Sequence, residues 1–238
     1  MKIMKISTTV LAILFSFLLI SCDQKTESIS SQVRHTGAMR NVMLRGDLSN
    51  TIKLDTLDTQ NLYGIGPATA LTGELMVFDG DIYISRIEND GLMKVEKTAN
   101  ASAPFFVYAQ AYQWKEIEVP ATVSDLSSLE LFIQSQLKDQ SIETMFKLEG
   151  KVSNAFIHVQ NLAPGSVIKS PQDAHKGQRN FTLENEEVVM VGFYSQHHKG
   201  IYTHHDSNIH VHLMTTNRNA MGHLDAVEPQ ALTLFLAK

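Results

Sequence analysis

The stretch Ile209-His210-Val211-His212-Leu213 alternates strictly between apolar residues and histidine, and His223 follows His212 by eleven positions. Alternate residues of a strand share a face. As a strand, this stretch sets His210 and His212 on one side and Ile209, Val211 and Leu213 on the other. A polar loop, Thr215-Thr216-Asn217-Arg218-Asn219, separates the pair from His223; a chain reversal there returns His223 beside them. Three neutral imidazoles converging on one point, with a fourth position open, is how proteins hold a catalytic zinc. The spacing alone also fits a histidine-rich exposed strand that holds no metal.

The N-terminus restricts which ligands are available. Lys2 and Lys5 precede an apolar run from Val10 to Ile20 that ends at Ser21-Cys22. A basic stretch, an apolar stretch and a small residue at the cut read as an export signal over 1–22, too short for a comfortable membrane span. Leu19-Ile20-Ser21-Cys22 also resembles the bacterial lipobox. That makes Cys22 the expected lipidation site of a periplasmic or cell-surface lipoprotein, touching the membrane only through its anchor. A plain signal peptide with an incidental cysteine is the other reading. Cys22 is the only cysteine, so a metal in the mature chain must be held by His, Asp or Glu. Loss of Lys2 and Lys5 takes the formal charge from −5 to −7. With no cluster of basic residues, nothing points to nucleic acid.

At 238 residues and 43% hydrophobic content, the chain suffices for one large domain or two small ones. Residues 23–32 are polar and read as a flexible tether. Ala38, Val42, Met43 and Leu44 suggest a first docked element. Asp55 to Leu62 reads as a short helix, ended by Tyr63-Gly64-Ile65-Gly66-Pro67. Asp79-Gly80 between alternating apolar residues is a strong hairpin signal. A two-residue turn there pairs Phe78 with Asp81, Met76 with Tyr83 and Glu74 with Ser85. Leu75, Val77, Ile82 and Ile84 then share the core face. Glu74 lies on the other face, either solvated at a sheet edge or aimed into a site, and pattern alone favours solvation.

Pro104 to Tyr112 reads as a buried strand. Ser127 and Glu130 fit a capping box, opening a helix over 128–139 with Leu129, Phe132, Ile133 and Leu137 inward. Phe146 to Leu148 and Ala155 to Val159 read as short strands, with Gly150 between them as a candidate boundary. Ser170 to Arg179 is loop-like, and Glu187 to Tyr194 is a strand with a near-continuous apolar run. The loop Gln196 to Asp206 carries His197, His198, His204 and His205, read as solvated, with extra metal binding or the lining of a mouth as alternatives. Strands follow at Leu224 to Val227 and Ala231 to Leu236.

Taken in order, these pieces resemble the α-acetolactate decarboxylase family from about Val33 to about Val227. Gly64-Ile65-Gly66, Ala70-Leu71, Gly73-Glu74-Leu75, Asp79-Gly80 and Tyr83 are similar to its N-terminal segment, and Ser102, Pro104 and Phe105 to its next motif. Val191-Gly192-Phe193-Tyr194-Ser195 and Gly200-Ile201 are similar to the approach to its metal site. His210, His212, Arg218, Gly222 and His223 resemble its zinc motif at the same spacing.

The resemblance implies an α+β, predominantly β chain with few helices. It implies two β-rich domains, a mixed sheet over 33–150 that includes helix 128–139 and a barrel-like sheet over 151–238 that carries the metal, and the option of a homodimer. It implies Zn2+ held by His210, His212 and His223, with Glu74 projecting into the same pocket, and decarboxylation of a 2-hydroxy-3-oxo acid, 2-acetolactate, to acetoin. In that chemistry zinc stabilises the enediolate left by loss of CO2. Glu74 is the candidate proton donor if desolvation raises its pKa. Arg218 is a candidate contact for the substrate carboxylate, with an ion pair in the loop as the equal alternative.

The chain departs from the family at three places, one of them the loop before His210, which is longer than usual and contains extra histidines. The family's arginine-rich strand corresponds to Ile157-His158-Val159-Gln160-Asn161, where Gln160 or His158 stands in the place of an arginine taken to help catalysis. The family also brings an acidic residue near its C-terminus towards the metal; here Ala231 to Lys238 has none and the nearest acid is Glu228. Two further readings therefore stand beside the enzyme: a zinc-binding homologue with another substrate or no catalysis, and a non-enzymatic metal-binding surface lipoprotein.

Overall fold

The computed structural model describes residues 31–238; the expected export signal over 1–22, with Cys22, and most of the expected tether 23–32 lie outside the described residues. The first half of the chain forms β1 (Arg34–Thr36), helix α1 (Met39–Arg45), β2 (Ile52–Lys53), β3 (Leu62–Pro67), β4 (Glu74–Phe78), β5 (Asp81–Ile87), β6 (Met93–Thr98), β7 (Ser102–Ala103) and β8 (Phe106–Gln110). The second half forms β9 (Trp114–Glu118), helix α2 (Leu126–Gln136), β10 (Thr144–Val159), the single turn α3 (Pro171–Ala174), β11 (Arg179–Glu184), β12 (Glu187–Tyr194), β13 (Ile209–Thr215) and β14 (Met221–Ala237).

Two six-stranded sheets result, ordered β1-β8-β3-β4-β5-β6 and β11-β10-β12-β13-β14-β9, with β2 and β7 as a separate pair. The fold is mostly β, as the sequence indicates. Every ladder between the named strands is antiparallel, so the sheet expected to be mixed is not. In the second sheet β10 pairs with β12 on one edge and β14 on the other. Since β12, β13 and β14 pair in series, the sheet closes on itself in a barrel-like ring.

Burial explains the apolar runs. One face of β12 (Val188, Met190, Tyr194) joins the barrel interior with Ile209, Val211 and Leu213 of β13. Its other face (Val191, Phe193) meets Tyr63, Ile65, Met76, Tyr83 and Val107 of the first sheet. A strand covered on both sides reads as near-continuously hydrophobic. The far face of the first sheet packs Leu75, Val77, Ile82 and Ile84 with Phe106. The β4–β5 hairpin has the register that its Asp-Gly turn predicts, Glu74 opposite Ser85 and Phe78 opposite Asp81. Positive φ at both Asp79 and Gly80 matches the right-handed twist of the flanking strands.

Four local readings change. Gly64 and Gly66 sit inside fully buried β3 and do not end a helix. A Cβ at Gly64 would lie 2.6 Å from the Phe106 ring, so this glycine makes room for a packed aromatic. The helix expected from Asp55 is one 3-10 turn, Leu54–Thr56. Helix α2 is capped by Asp125, whose side chain accepts from the Ser128 N–H while Ser128 closes the box in return, and it ends at Gln136. Glu130 is free for the loop ahead of β13, accepting from Ser207 Oγ at 2.7 Å and from Asn208 N and Nδ2 at 3.0 and 2.8 Å. Finally, β10 runs through Gly150 as one strand. The change of sheet falls between Gln110 and Trp114 instead, and α2 packs on the barrel.

Candidate active site

The histidine face of β13 turns away from the barrel interior, into the seam between the two sheets. His210 and His212 project from β13, and His223 of β14 stands directly opposite His212. They are 3%, 1% and 7% exposed. One nitrogen from each ring lies within 4.8 Å of the others, with ring centroids 5.0 Å apart for His210–His212 and His210–His223 and 5.6 Å for His212–His223.

Burial, reinforced by neighbouring histidines, holds all three rings in the neutral form. It pushes His210 and His223 well below the usual imidazole range and His212 down to about 3. Nδ1 of His210 and both ring nitrogens of His212 have no hydrogen-bond partner. Leaving a buried polar atom unpaired costs about 1–3 kcal/mol. Neutral imidazoles with free lone pairs on one buried point are the donor set of a zinc-type ion, so these residues fit a metal.

Glu74, at the start of β4, is 3% exposed and therefore not solvated as its strand pattern suggested. Its Oε2 is 3.7 Å from His212 Nε2, and its Oε1 accepts from the Gln160 N–H at 3.2 Å. Burial drives its pKa well above the usual carboxylate range; the Gln160 N–H opposes this and Asp225 adds to it. Glu74 is thus held as a neutral acid beside the histidines.

At the end of β10, His158 Nδ1 lies 2.9 Å from both carboxylate oxygens of Asp225, and its ring centroid is 4.7 Å from that of His223. Gln160 is buried in the same wall. His204, from the loop before β13, brings its ring to 4.8 Å from His223 and 6.0 Å from His210. Of the loop's four histidines it alone reaches the inner cleft, while His205 lines the wider mouth outside it. His197 and His205 are exposed. His198 is engaged elsewhere, at 2.9 Å from Ser195 Oγ and 3.3 Å from Glu143.

The structure does not bring Arg218 to the histidines. It is exposed in the β13–β14 turn, with its guanidinium 5.0 Å from the Tyr83 ring centroid, and the loop offers it no ion pair among the described residues. Glu228 is tied to Asn154 Nδ2 at 2.8 Å. The acid near the site is Asp225, two residues after His223 on the same strand face. That spacing is visible in the sequence, within a stretch that reads as plain strand. His175, at the end of α3, also lines the site, and nothing in its polar surroundings distinguishes it in the sequence.

Between these groups lies a cleft of about 30 Å³ walled by Met39, Leu71, Glu74, Gln160, His210 and His223. It adjoins a funnel of about 620 Å³ that shares Met39, Met43, His158, His175 and His204. Helix α1 supplies the methionines, and its first turn is fixed to the histidine loop by Met39 N to Ile201 O and Arg40 N to Gly200 O, both 2.8 Å.

Comparison with known proteins gives the following. The profile of the family described as alpha-acetolactate decarboxylase matches residues 35–238. An alpha-acetolactate decarboxylase of Methanosarcina mazei is 26% identical over 199 residues, 82% of this chain and 65% of the relative, so the chain spans slightly less than two thirds of that protein. One from Bacillus subtilis is 26% identical over 211 residues, 86% of this chain and 77% of the relative. The crystal structure of alpha-acetolactate decarboxylase from Bacillus subtilis strain 168 superposes with a TM-score of 0.74 at 22% identity, covering 87% of this chain and 85% of that one. A Staphylococcus aureus protein of unknown function, described as similar to alpha-acetolactate decarboxylase, superposes with a TM-score of 0.70 at 16% identity, covering 86% and 84%.

Proposed function

The chain belongs to the alpha-acetolactate decarboxylase family, and from that premise we propose that it removes CO2 from 2-acetolactate to give acetoin, using a zinc ion. The observation that carries this reading is the placement of a buried, neutral Glu74 3.7 Å from His212, beside three histidines that bring one nitrogen each within 4.8 Å of the others, with those of His210 and His212 left unpaired.

His210, His212 and His223 would hold the ion. Bound there, zinc supplies Lewis-acid stabilisation of the negative charge that develops on the substrate oxygens. As the bond to the carboxylate breaks and CO2 leaves, its electron pair remains on the neighbouring carbon and carbonyl. Glu74 delivers a proton to that carbon. Gln160 N–H holds one Glu74 oxygen, which turns the other towards His212 and the cleft. The carboxylate then regains its proton from solvent through the funnel, so the reaction consumes one proton overall. The buried walls of the cleft keep water from the reacting carbon.

The test is release of acetoin from racemic 2-acetolactate by the zinc-loaded chain. The expected result is turnover that His210→Ala abolishes along with zinc binding. A chain that holds one zinc and releases no acetoin would sink the reading. A second reading, the same metal site acting on another 2-hydroxy-3-oxo acid, is favoured by one observation: the inner cleft carries His158, paired to Asp225, and Gln160, and the arginine of the site's lining, Arg40, stands in the outer funnel. CO2 release from such an acid, faster than from acetolactate, would select it.

A further inference from the structure

Gln160 plays two parts in the cleft. Its main-chain N–H fixes Glu74, and the residue is 4% exposed, with Oε1 buried and without any partner. The amide orientation follows from its neighbours. Nε2 faces Gln178 Oε1 at 3.5 Å, and at the same distance His158 Nε2 and His175 Nδ1. Gln178 is itself oriented, because its Nε2 donates to Asn180 Oδ1 at 2.8 Å. Reversing the Gln160 amide would set two carbonyl oxygens against each other. What remains is an acceptor with nothing to accept from, in a wall shared with Glu74, His210 and His223.

We propose that Gln160 Oε1 accepts the hydroxyl proton of the bound acid, so that Gln160 selects 2-hydroxy acids over acids that lack the hydroxyl. This rests on the reading above, that a 2-hydroxy-3-oxo acid occupies the cleft. Of the polar groups on such an acid, the carboxylate and the ketone carry no hydrogen and would be repelled by a carbonyl oxygen. Only the hydroxyl has a proton to give. A site built to pair a hydroxyl discriminates strongly against an analogue without one, because the protein atom is then left buried and unpaired. Since the same residue's N–H holds Glu74, the contact also sets where the substrate lies relative to the proton donor.

The experiment uses the full zinc-loaded chain and two acids that cannot decarboxylate by this route, 2-hydroxy-2-methylpropanoate and 2-methylpropanoate, with affinities measured by calorimetry. The wild type is expected to prefer the hydroxy acid, and Gln160→Met, similar in length without the amide, to lose about tenfold of that preference. Any direct help the hydroxyl receives from the ion is present in both proteins and cancels in the comparison. An unchanged preference overturns the proposal, as does failure of either acid to bind the zinc-loaded wild type. Should Gln160→Met not fold, a crystal structure of the wild type with the hydroxy acid decides. The hydroxyl oxygen within hydrogen-bond distance of Gln160 Oε1 supports the proposal, and any other group or water there overturns it. Acetoin release plays no part in these readouts, so the hydroxyl contact and the decarboxylation can fail separately.

Discussion

Glu74 keeps its proton because water does not reach it. Burial outweighs the one N–H that would favour its charged form. Glu74→Gln preserves the shape and the acceptor for Gln160 N–H while removing the proton to be transferred. Turnover should fall about 10²–10⁴-fold, with KM and zinc content little changed. An undiminished turnover number in the variant would remove Glu74 from the chemistry. The three clustered histidines were legible because a period of two needs no tertiary knowledge to put His210 and His212 on one face. Glu74 was not, because whether the second face of β4 is wet depends on what packs over it, and that cover is a barrel assembled from residues beyond position 114. The unpaired Gln160 oxygen is likewise visible only once Gln178 has been brought beside it.

Among elements, the β13–β14 hairpin determines the metal geometry, and it is paired over only three rungs, His212–His223, Leu213–Gly222 and Met214–Met221. Beyond them β14 leaves β13 for β10, and Gly222 permits that close crossing: a Cβ there would lie 2.4 Å from the His158 carbonyl oxygen. Backbone cannot yield as a flexible side chain can. Gly222→Ala should therefore cost about 1–3 kcal/mol of stability and, by displacing both His223 and the His158 strand, weaken zinc binding about 10–100-fold. Urea titration and competition with a chelator would measure the two effects, and wild-type zinc affinity in the variant would refute the argument. The sequence predicted this hairpin and the Asp79-Gly80 one because their turns are local. The sequence pattern sets the α2 cap two residues late because Ser127–Glu130 and Asp125–Ser128 satisfy the same pattern. The choice between them is tertiary, since Glu130 is recruited by Ser207 and Asn208. The single long β10 reads as two strands in the sequence because its bulges, near Lys151 to Asn154, interrupt the apolar pattern without interrupting the ladder.

Over the whole molecule, burying three neutral imidazoles and one neutral carboxyl makes stability depend on pH. The histidine pKa values are depressed in the fold, to about 3 for His212. Their contribution is complete above the usual 6.5 and is lost as pH falls below it, because the unfolded chain takes up protons that the fold refuses. Glu74 has the opposite sign: its raised pKa contributes stability below the usual 4.5 that is lost as pH rises through the folded value. His204 and His198, whose pKa values burial also lowers, add to the three candidate ligands, so between pH 6.5 and 5 the histidines outnumber Glu74 and the metal-free protein should lose stability as pH falls. Its melting temperature should fall from pH 7 to pH 5; a flat or rising trend would contradict the burial of these rings. The seam between the sheets has one more consequence. All three candidate ligands hang from the barrel, whereas the acid and the methionine wall belong to the other layer and to α1. A molecule whose layers part by a few ångströms would keep its ion and lose its proton donor, so holding the ion and being competent to react are populations that two different equilibria control.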